Sequence, residues 1–265
     1  IGPVRNSVAA DQAMLRQLQE ARVFLQHHDS REEITLHAPD TWEEYRSEVL
    51  GSKFARKVGY YERRMQRAGH TTVRHYRQPD EDETKTMFDA LSSVEAASWM
   101  ATRDGAIPRF TNPDLSRFWQ LLTTEHLSPG DFLDCWVMSF DHRPVSFCFT
   151  LTNDSVRYVI ANNYDSAVKD HRTGSTLYQM MIKDGIERGV RRFEFADGDL
   201  HYKSLWGAHP DGSRDTWLAV PNRLLGYAAS AVSRIKGLTG SRHSATDHTP
   251  VKTSQQTPET PAAEA

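Results

Sequence analysis

A chain of 265 residues with 38% hydrophobic content is long enough for one large domain or two small ones, and carries the apolar side chains a core needs. Its 32 lysines and arginines against 35 aspartates and glutamates leave a formal net charge of −3, which excludes a global field suited to nucleic acid or an anionic membrane; electrostatic binding must be local. No apolar run approaches the roughly 20 residues of a membrane span, and no basic-then-apolar signal pattern opens the chain, so the expected location is the cytoplasm.

The first residue is Ile1 rather than methionine, which points to a piece of something longer. Residues 9–28 carry Met14, Leu15, Leu18, Ala21, Phe24 and Leu25 at helical spacing, and a short strand is expected at 34–37. Asp40-Thr41-Trp42-Glu43 offers a helix start with acidic residues in its first turn. A helix over 52–68 sets an apolar stripe (Phe54, Val58, Tyr61, Met65, Ala68) against Lys53, Arg56, Lys57, Arg63, Arg64 and Arg67, with Glu62 as its single acid and Gly69 at its end. Such a basic face either grips phosphates or is solvated, its long stems covering apolar neighbours. A strand at 72–76, an acidic turn at 80–83 and helices at 85–100 and 114–127 follow.

The period then changes. Residues 132–140, 144–152 and 155–161 alternate as strands, separated by Asp141-His142-Arg143 and Asn153-Asp154, which predicts an antiparallel meander. Cys135 and Cys148 fall inside these apolar strands, away from metal-ligand spacing, and read as buried free thiols. A helix at 174–189 leads to a strand around Phe193 and Phe195, giving an α+β fold with a mixed, mostly antiparallel sheet flanked by helices. Residues 222–238 form an amphipathic helix that docks on the domain, touches a membrane surface or contacts another copy. Residues 239–265, rich in Ser, Thr, Pro and Ala, read as disordered.

Two segments carry chemistry. Arg172-Thr173-Gly174-Ser175-Thr176 opens the 174–189 helix, where free backbone N–H groups and a glycine suit a phosphate, although ordinary capping uses the same residues. After the Phe195 strand, Asp197-Gly198-Asp199 turns the chain, and Asp199 is placed to cap a helical turn bearing Tyr202, Lys203 and Trp206. The histidines lack i,i+4 metal spacing, so no metal is expected.

This order of parts resembles the GNAT acyltransferase fold. Val94-Glu95-Ala96-Ala97-Ser98-Trp99, His142-Arg143-Pro144-Val145-Ser146-Phe147, Tyr164-Asp165, Gly174-Ser175-Thr176-Leu177, Glu187-Arg188-Gly189 and Gly198-Asp199-Leu200-His201-Tyr202-Lys203-Ser204-Leu205-Trp206-Gly207 together resemble the acetyltransferase subgroup named for bacterial cellulose biosynthesis proteins, a relative of the Fem-type peptidoglycan aminoacyl transferases. The likeness spans about residues 40–220. It implies a GNAT-like domain at 40–221, preceded at 1–39 by the tail of an earlier GNAT-like half.

The resemblance further implies acyl transfer from acetyl-CoA or another acyl-CoA to an amine or hydroxyl on a sugar or envelope precursor. Arg172 and the backbone of Thr173, Gly174, Ser175 and Thr176 would hold the pyrophosphate, and backbone N–H groups near Ala161 would polarise the thioester. Tyr202 would protonate the leaving thiolate, Asp199 or Asp165 would act as base, and Lys203 would orient a carbonyl or acceptor oxygen. Glu95 and Trp99 would line the acceptor groove. The sequence departs from the family pattern at His171 and Thr176 of the phosphate motif, and at Met100, where a lysine is usual. The alternatives are a Fem-like transfer from aminoacyl-tRNA, with the basic helix on RNA, and a non-catalytic GNAT-like scaffold.

Overall fold

The computed structural model describes residues 4–5, 9–102, 106–124, 132–195 and 200–220; Asp199, the 222–238 helix and the 239–265 tail lie outside them. Eight strands form one sheet in the order β1-β8-β2-β7-β6-β5-β4-β3, comprising β1 (Val4–Arg5), β2 (Phe24–His37), β3 (Thr71–Arg77), β4 (Phe132–Phe140), β5 (Arg143–Asn153), β6 (Val156–Tyr164), β7 (Arg192–Phe195) and β8 (His209–Val220). All neighbours run antiparallel except β6 and β7, which are parallel and joined by a helical crossover. The expected meander is β4-β5-β6.

The helices are α1 (Ala9–Glu20), α2 (Trp42–Glu44), α3 (Ser52–Ala68), α4 (Glu81–Ala96), α5 (Pro113–Thr124), α6 (Thr173–Glu187) and α7 (Leu200–Ser204). Thr41 starts α2 with a reciprocal cap: its Oγ1 accepts from Glu44 N at 3.2 Å while the Glu44 carboxylate accepts from Thr41 N at 3.1 Å. A π-helical turn at Tyr45–Val49 then leads into α3. On one face of the sheet α3 and α6 bury Val58, Met65, Leu177, Met181 and Ile182 against Trp136, Phe193 and Phe195. On the other face α4 buries Phe88, Leu91 and Val94 against Phe147 and Phe149, with Trp119 of α5 packed at the margin.

Three expectations change. The 9–28 helix stops at Glu20, because Arg22 takes a left-handed backbone (φ 59°) and Phe24 and Leu25 instead pair with Val220 and Ala219 of β8. The expected four-residue strand at 34–37 is therefore a 14-residue strand in the main sheet, so residue 39 is not a sheet boundary. The acidic turn at 80–83 is the first turn of α4: Asp80 caps it by accepting from Glu83 N at 2.8 Å, and the acids sit favourably at the positive end of the helix dipole. Both cysteines are buried free thiols, and burial pushes that of Cys148 up to about 12.

Candidate active site in the splayed sheet

The sheet opens where β6 outruns β7. Their pairing covers Val156 with Arg192 through Val159 with Phe195, and β6 then continues to Tyr164 with no further pairing to β7 among the described residues. At the same place β6 carries a bulge against β5: Thr150 faces Val159 and Phe149 faces Ala161, so Ile160 is inserted. Because side chains alternate, one extra residue exchanges the faces. Val159 packs into the α6-side core, whereas Ala161 packs into the α4-side core.

The exchange brings Asn162 to the start of α6, where its Nδ2 donates to Gly174 O at 3.2 Å. A Cβ at residue 174 would stand 2.7 Å from Asn162 Oδ1, so any larger residue would force the Asn162 side chain to shift. The opening is a cavity of about 340 Å³ lined by Trp99, Met100 and Arg109 on one side, by Ile160, Ala161 and Asn162 along β6, and by Tyr178, Lys203 and Arg214 on the other.

The start of α6 flanks this cleft. Arg172 adopts a left-handed backbone (φ 53°), lies exposed and makes no ion pair among the described residues. Ser175 N donates to Arg172 O at 2.9 Å, tightening the first turn. Ser175 Oγ reaches Tyr202 Oη at 3.2 Å. The side chains of Thr173 and Thr176, by contrast, are buried on the opposite flank, toward α3. Only their backbone can serve a ligand on the cleft side.

Tyr202 stacks on Tyr178, with ring centroids 5.7 Å apart. Burial pushes the Tyr202 phenol above its ordinary value, opposed by the Ser175 hydrogen bond and the positive charge of Arg172. The phenol of Tyr178 is raised well above its ordinary value, first by burial and then by Cys148 and Tyr202. Two protonated phenols therefore stand in contact beside the cleft at neutral pH. Lys203 is buried and faces the same space. Trp206 is core: it is fully buried against Tyr178 at 5.8 Å and Phe54 at 5.0 Å.

The expected acceptor residues separate. Trp99 is on a 3₁₀ turn, 39% exposed, and lines the cleft. Glu95 is 1% exposed and does not line it. Its carboxylate accepts from Arg109 N (3.0 Å), Phe110 N (2.7 Å), Thr111 N (2.8 Å) and Thr111 Oγ1 (3.1 Å), and so holds the loop that carries Arg109 into the cleft. Asp165 is likewise buried outside the cleft. It accepts from Ala167 N at 2.8 Å, capping the turn that follows, and pairs with Arg143.

Sequence reasoning missed Arg109, Asn162, Tyr178 and Arg214. Tyr178 follows Gly174 by one helical turn and was legible by spacing; Arg214 is on β8, a strand that Pro210 and Gly212 conceal. It also missed a cluster assembled from three elements, in which ligand atoms of His75, Asp134 and Asp184 lie within 4.8 Å of one another. The fully buried Arg157 guanidinium already supplies a cation there, 3.1 Å from each aspartate.

Residues 52–204, more than half of the chain, match the family described as acetyltransferase (GNAT) domain. No curated protein matches by sequence. Among solved structures, the C-terminal domain of a putative lysylphosphatidylglycerol synthetase from Agrobacterium fabrum is similar at 14% identity and TM-score 0.50, over 86% of this chain and 69% of that one. FemX is similar at 15% and 0.48, over 82% and 70%. A tandem GNAT protein from the clavulanic acid biosynthesis pathway is similar at 11% and 0.42, over 83% and 72%. A family match that long, on a sheet that opens within the matched segment, places the chain in the GNAT acetyltransferase family.

Proposed function

We propose that this chain transfers an acetyl or other acyl group from acyl-CoA to an amine or hydroxyl of a sugar or envelope precursor. The observation that carries this is the cleft where β6 and β7 part, with the α6 N-terminus on one flank and Lys203 and the Tyr178–Tyr202 pair on another. Backbone N–H groups at Thr173 and Gly174, with Arg172, hold the donor pyrophosphate, since a helix start favours negative charge. The free edge of β6 near Ala161 polarises the thioester carbonyl. The acceptor oxygen or nitrogen bonds to the carbonyl carbon, the carbon–sulfur bond breaks, Tyr202 gives its proton to the leaving thiolate, and Asp199 takes the acceptor's proton. Lys203 orients the acceptor. Arg109, Trp99 and Arg214 define the acceptor side, and the two arginines suit an anionic or hydroxyl-rich molecule. The motifs around 142–147 and 198–207 support the subgroup named for cellulose biosynthesis and a polysaccharide setting.

Calorimetric titration with acetyl-CoA and desulfo-CoA tests donor binding, and Arg172→Ala is expected to weaken it. Tyr202→Phe is expected to keep binding and lower turnover about 10²- to 10⁴-fold. The raised phenol also places the alkaline limb of the wild-type rate above the ordinary tyrosine value of about 10. Full turnover by Tyr202→Phe would remove the assigned acid, and a folded chain that binds no donor would refute acyl-CoA transfer.

A second reading, transfer from aminoacyl-tRNA, is favoured by one observation. Arg46, Lys53, Arg56, Lys57, Arg63, Arg64 and Arg67 make no ion pair among the described residues, and a groove of about 700 Å³ between α2, α3 and α6 is lined by Arg46, Arg56, Arg63 and Lys183. RNA binding that falls steeply with salt would support it. A scaffold would show neither donor-dependent turnover nor a Tyr202 effect.

A further inference from the structure

One unpaired cation marks the acceptor side of the cleft. The buried Glu95 carboxylate fixes residues 109–111 with four hydrogen bonds, so the loop is ordered before any ligand arrives. Arg109, which that loop carries, is half-buried, and its guanidinium makes no ion pair or hydrogen bond among the described residues. The charged residues lining the cavity among those described are Arg109, Lys203 and Arg214, all basic in a chain whose net charge is −3. Strand register brings an amide to the same side. Phe110, next to Arg109, packs edge-on against Phe147 with centroids 5.2 Å apart, and Phe147 is the cross-strand partner of Asn163. Cross-strand partners share a face, so Asn163 stands on the α4 side of the sheet with Phe147 and with Ala161, two residues earlier. Asn163 is 5% exposed and lines the cavity, and its carboxamide makes no hydrogen bond among the described residues. A native interior rarely leaves such a group unpaired. Trp99 adds a partly exposed aromatic face to the same wall.

We infer that the acceptor is an anionic sugar, a ring that carries a carboxylate or a phosphate, and that Arg109 is the residue that selects it. This rests on the acyl-transfer reading and names the substrate class of the same site. A guanidinium presents two parallel N–H donors that match two oxygens of either anion, and a fork carried on a fixed loop loses little freedom on binding. A ring hydroxyl supplies the partner that the Asn163 carboxamide lacks, and the C–H face of the ring lies on Trp99. The cavity of about 340 Å³ stands at the small end of the roughly 300–1,000 Å³ of ligand pockets, which suits one ring beside the thioester. Arg172, assigned to the donor pyrophosphate, is not on this lining, so the two arginines serve different anions.

The test is calorimetric titration of the full chain with two matched pairs: D-glucuronate against its uncharged methyl ester, and D-glucose 6-phosphate against D-glucose. At least one acid is expected to bind saturably and about tenfold more tightly than its partner, ~1.4 kcal/mol, and the pair that shows the difference identifies carboxylate or phosphate. The comparison needs only wild-type protein, so it stands if a variant fails to fold. Arg109→Gln should bring the acid down to the level of its uncharged partner, whereas Arg56→Gln, on the basic face of α3, should leave the preference in place. No saturation by either acid, or equal binding within both pairs, would overturn the inference. So would a preference that survives Arg109→Gln, and one lost instead in Arg56→Gln would assign the anion to the α3 groove. Release of CoA from acetyl-CoA, followed with the same four sugars, separates this from the acyl-transfer reading. A chain that binds the acid but releases no CoA fails that reading and keeps the anion site; release as fast with the uncharged sugars as with the acids keeps that reading and fails this one.

Discussion

Replacing Glu95 with glutamine changes one atom of a side chain that anchors four hydrogen bonds. The carboxylate accepts three backbone N–H groups and one hydroxyl from residues 109–111 and is 1% exposed. Glutamine's amide oxygen can retain the three donors at the Oε2 position, now as neutral bonds, while its NH₂ group faces the Arg109 N–H donor to donor. Charge-assisted bonds contribute about 1.5–3 kcal/mol and neutral ones about 1, so three weakened bonds and one buried N–H left unpaired sum to about 3–5 kcal/mol. Against a total stability of about 5–15 kcal/mol, the variant still folds but is strongly weakened. Equilibrium urea unfolding followed by tryptophan fluorescence should show the midpoint falling by about 1–2.5 M, for a slope of about 2–3 kcal/mol per molar. The same variant should raise the acceptor KM more than the donor KM, because Arg109 is carried on the released loop. A loss below about 1 kcal/mol would refute the claim that this carboxylate holds the loop.

Gly207 has φ 79°, and a Cβ there would stand 2.1 Å from Val49 Cγ1, so Gly207→Ala should cost about 3 kcal/mol through backbone strain and overpacking, read as a lower Tm; an unchanged Tm would contradict it. Arg157 bonds to Thr152 Oγ1, Met181 O, Asp134 and Asp184, and Arg157→Met should cost about 3–5 kcal/mol by stranding the buried Asp134 charge. Adding Asp134→Leu should recover much of that loss in denaturant unfolding, and no recovery would argue against a stranded charge. Burial, then the neighbouring Glu194, raises the Glu33 carboxyl despite Arg192 and Arg5. Since the folded state holds that proton more tightly, this stabilisation is complete below the ordinary glutamate value of about 4.3 and lost as pH rises through the raised one. Glu33→Gln should flatten the fall in a pH series of unfolding midpoints, and an unaltered slope would exclude Glu33 as its source.

The elements whose information is local were legible in the residues. The stripe of α3, the alternation of β4 to β6 and the Thr41 cap each repeat or punctuate over a few positions, so periodicity exposes them. The start of α6 at Thr173 and the placement of Tyr202 and Lys203 after β7 were equally readable, since both are set by the chain just before them. Tertiary contacts decided the rest. Phe24 and Leu25 continue a helical pattern, yet β8 claims them for a strand. Glu95 looks like a groove carboxylate until residues 14–16 places later bring it three backbone donors. Asn162 reaches α6 because a single inserted residue, Ile160, reverses the faces of β6, and that insertion exists only relative to β5. Sequence by itself determined which segments are amphipathic and where turns and caps fall, because those depend on near neighbours. Which side of the sheet each functional side chain occupies depends on pairing between distant strands, and only the folded structure decided it.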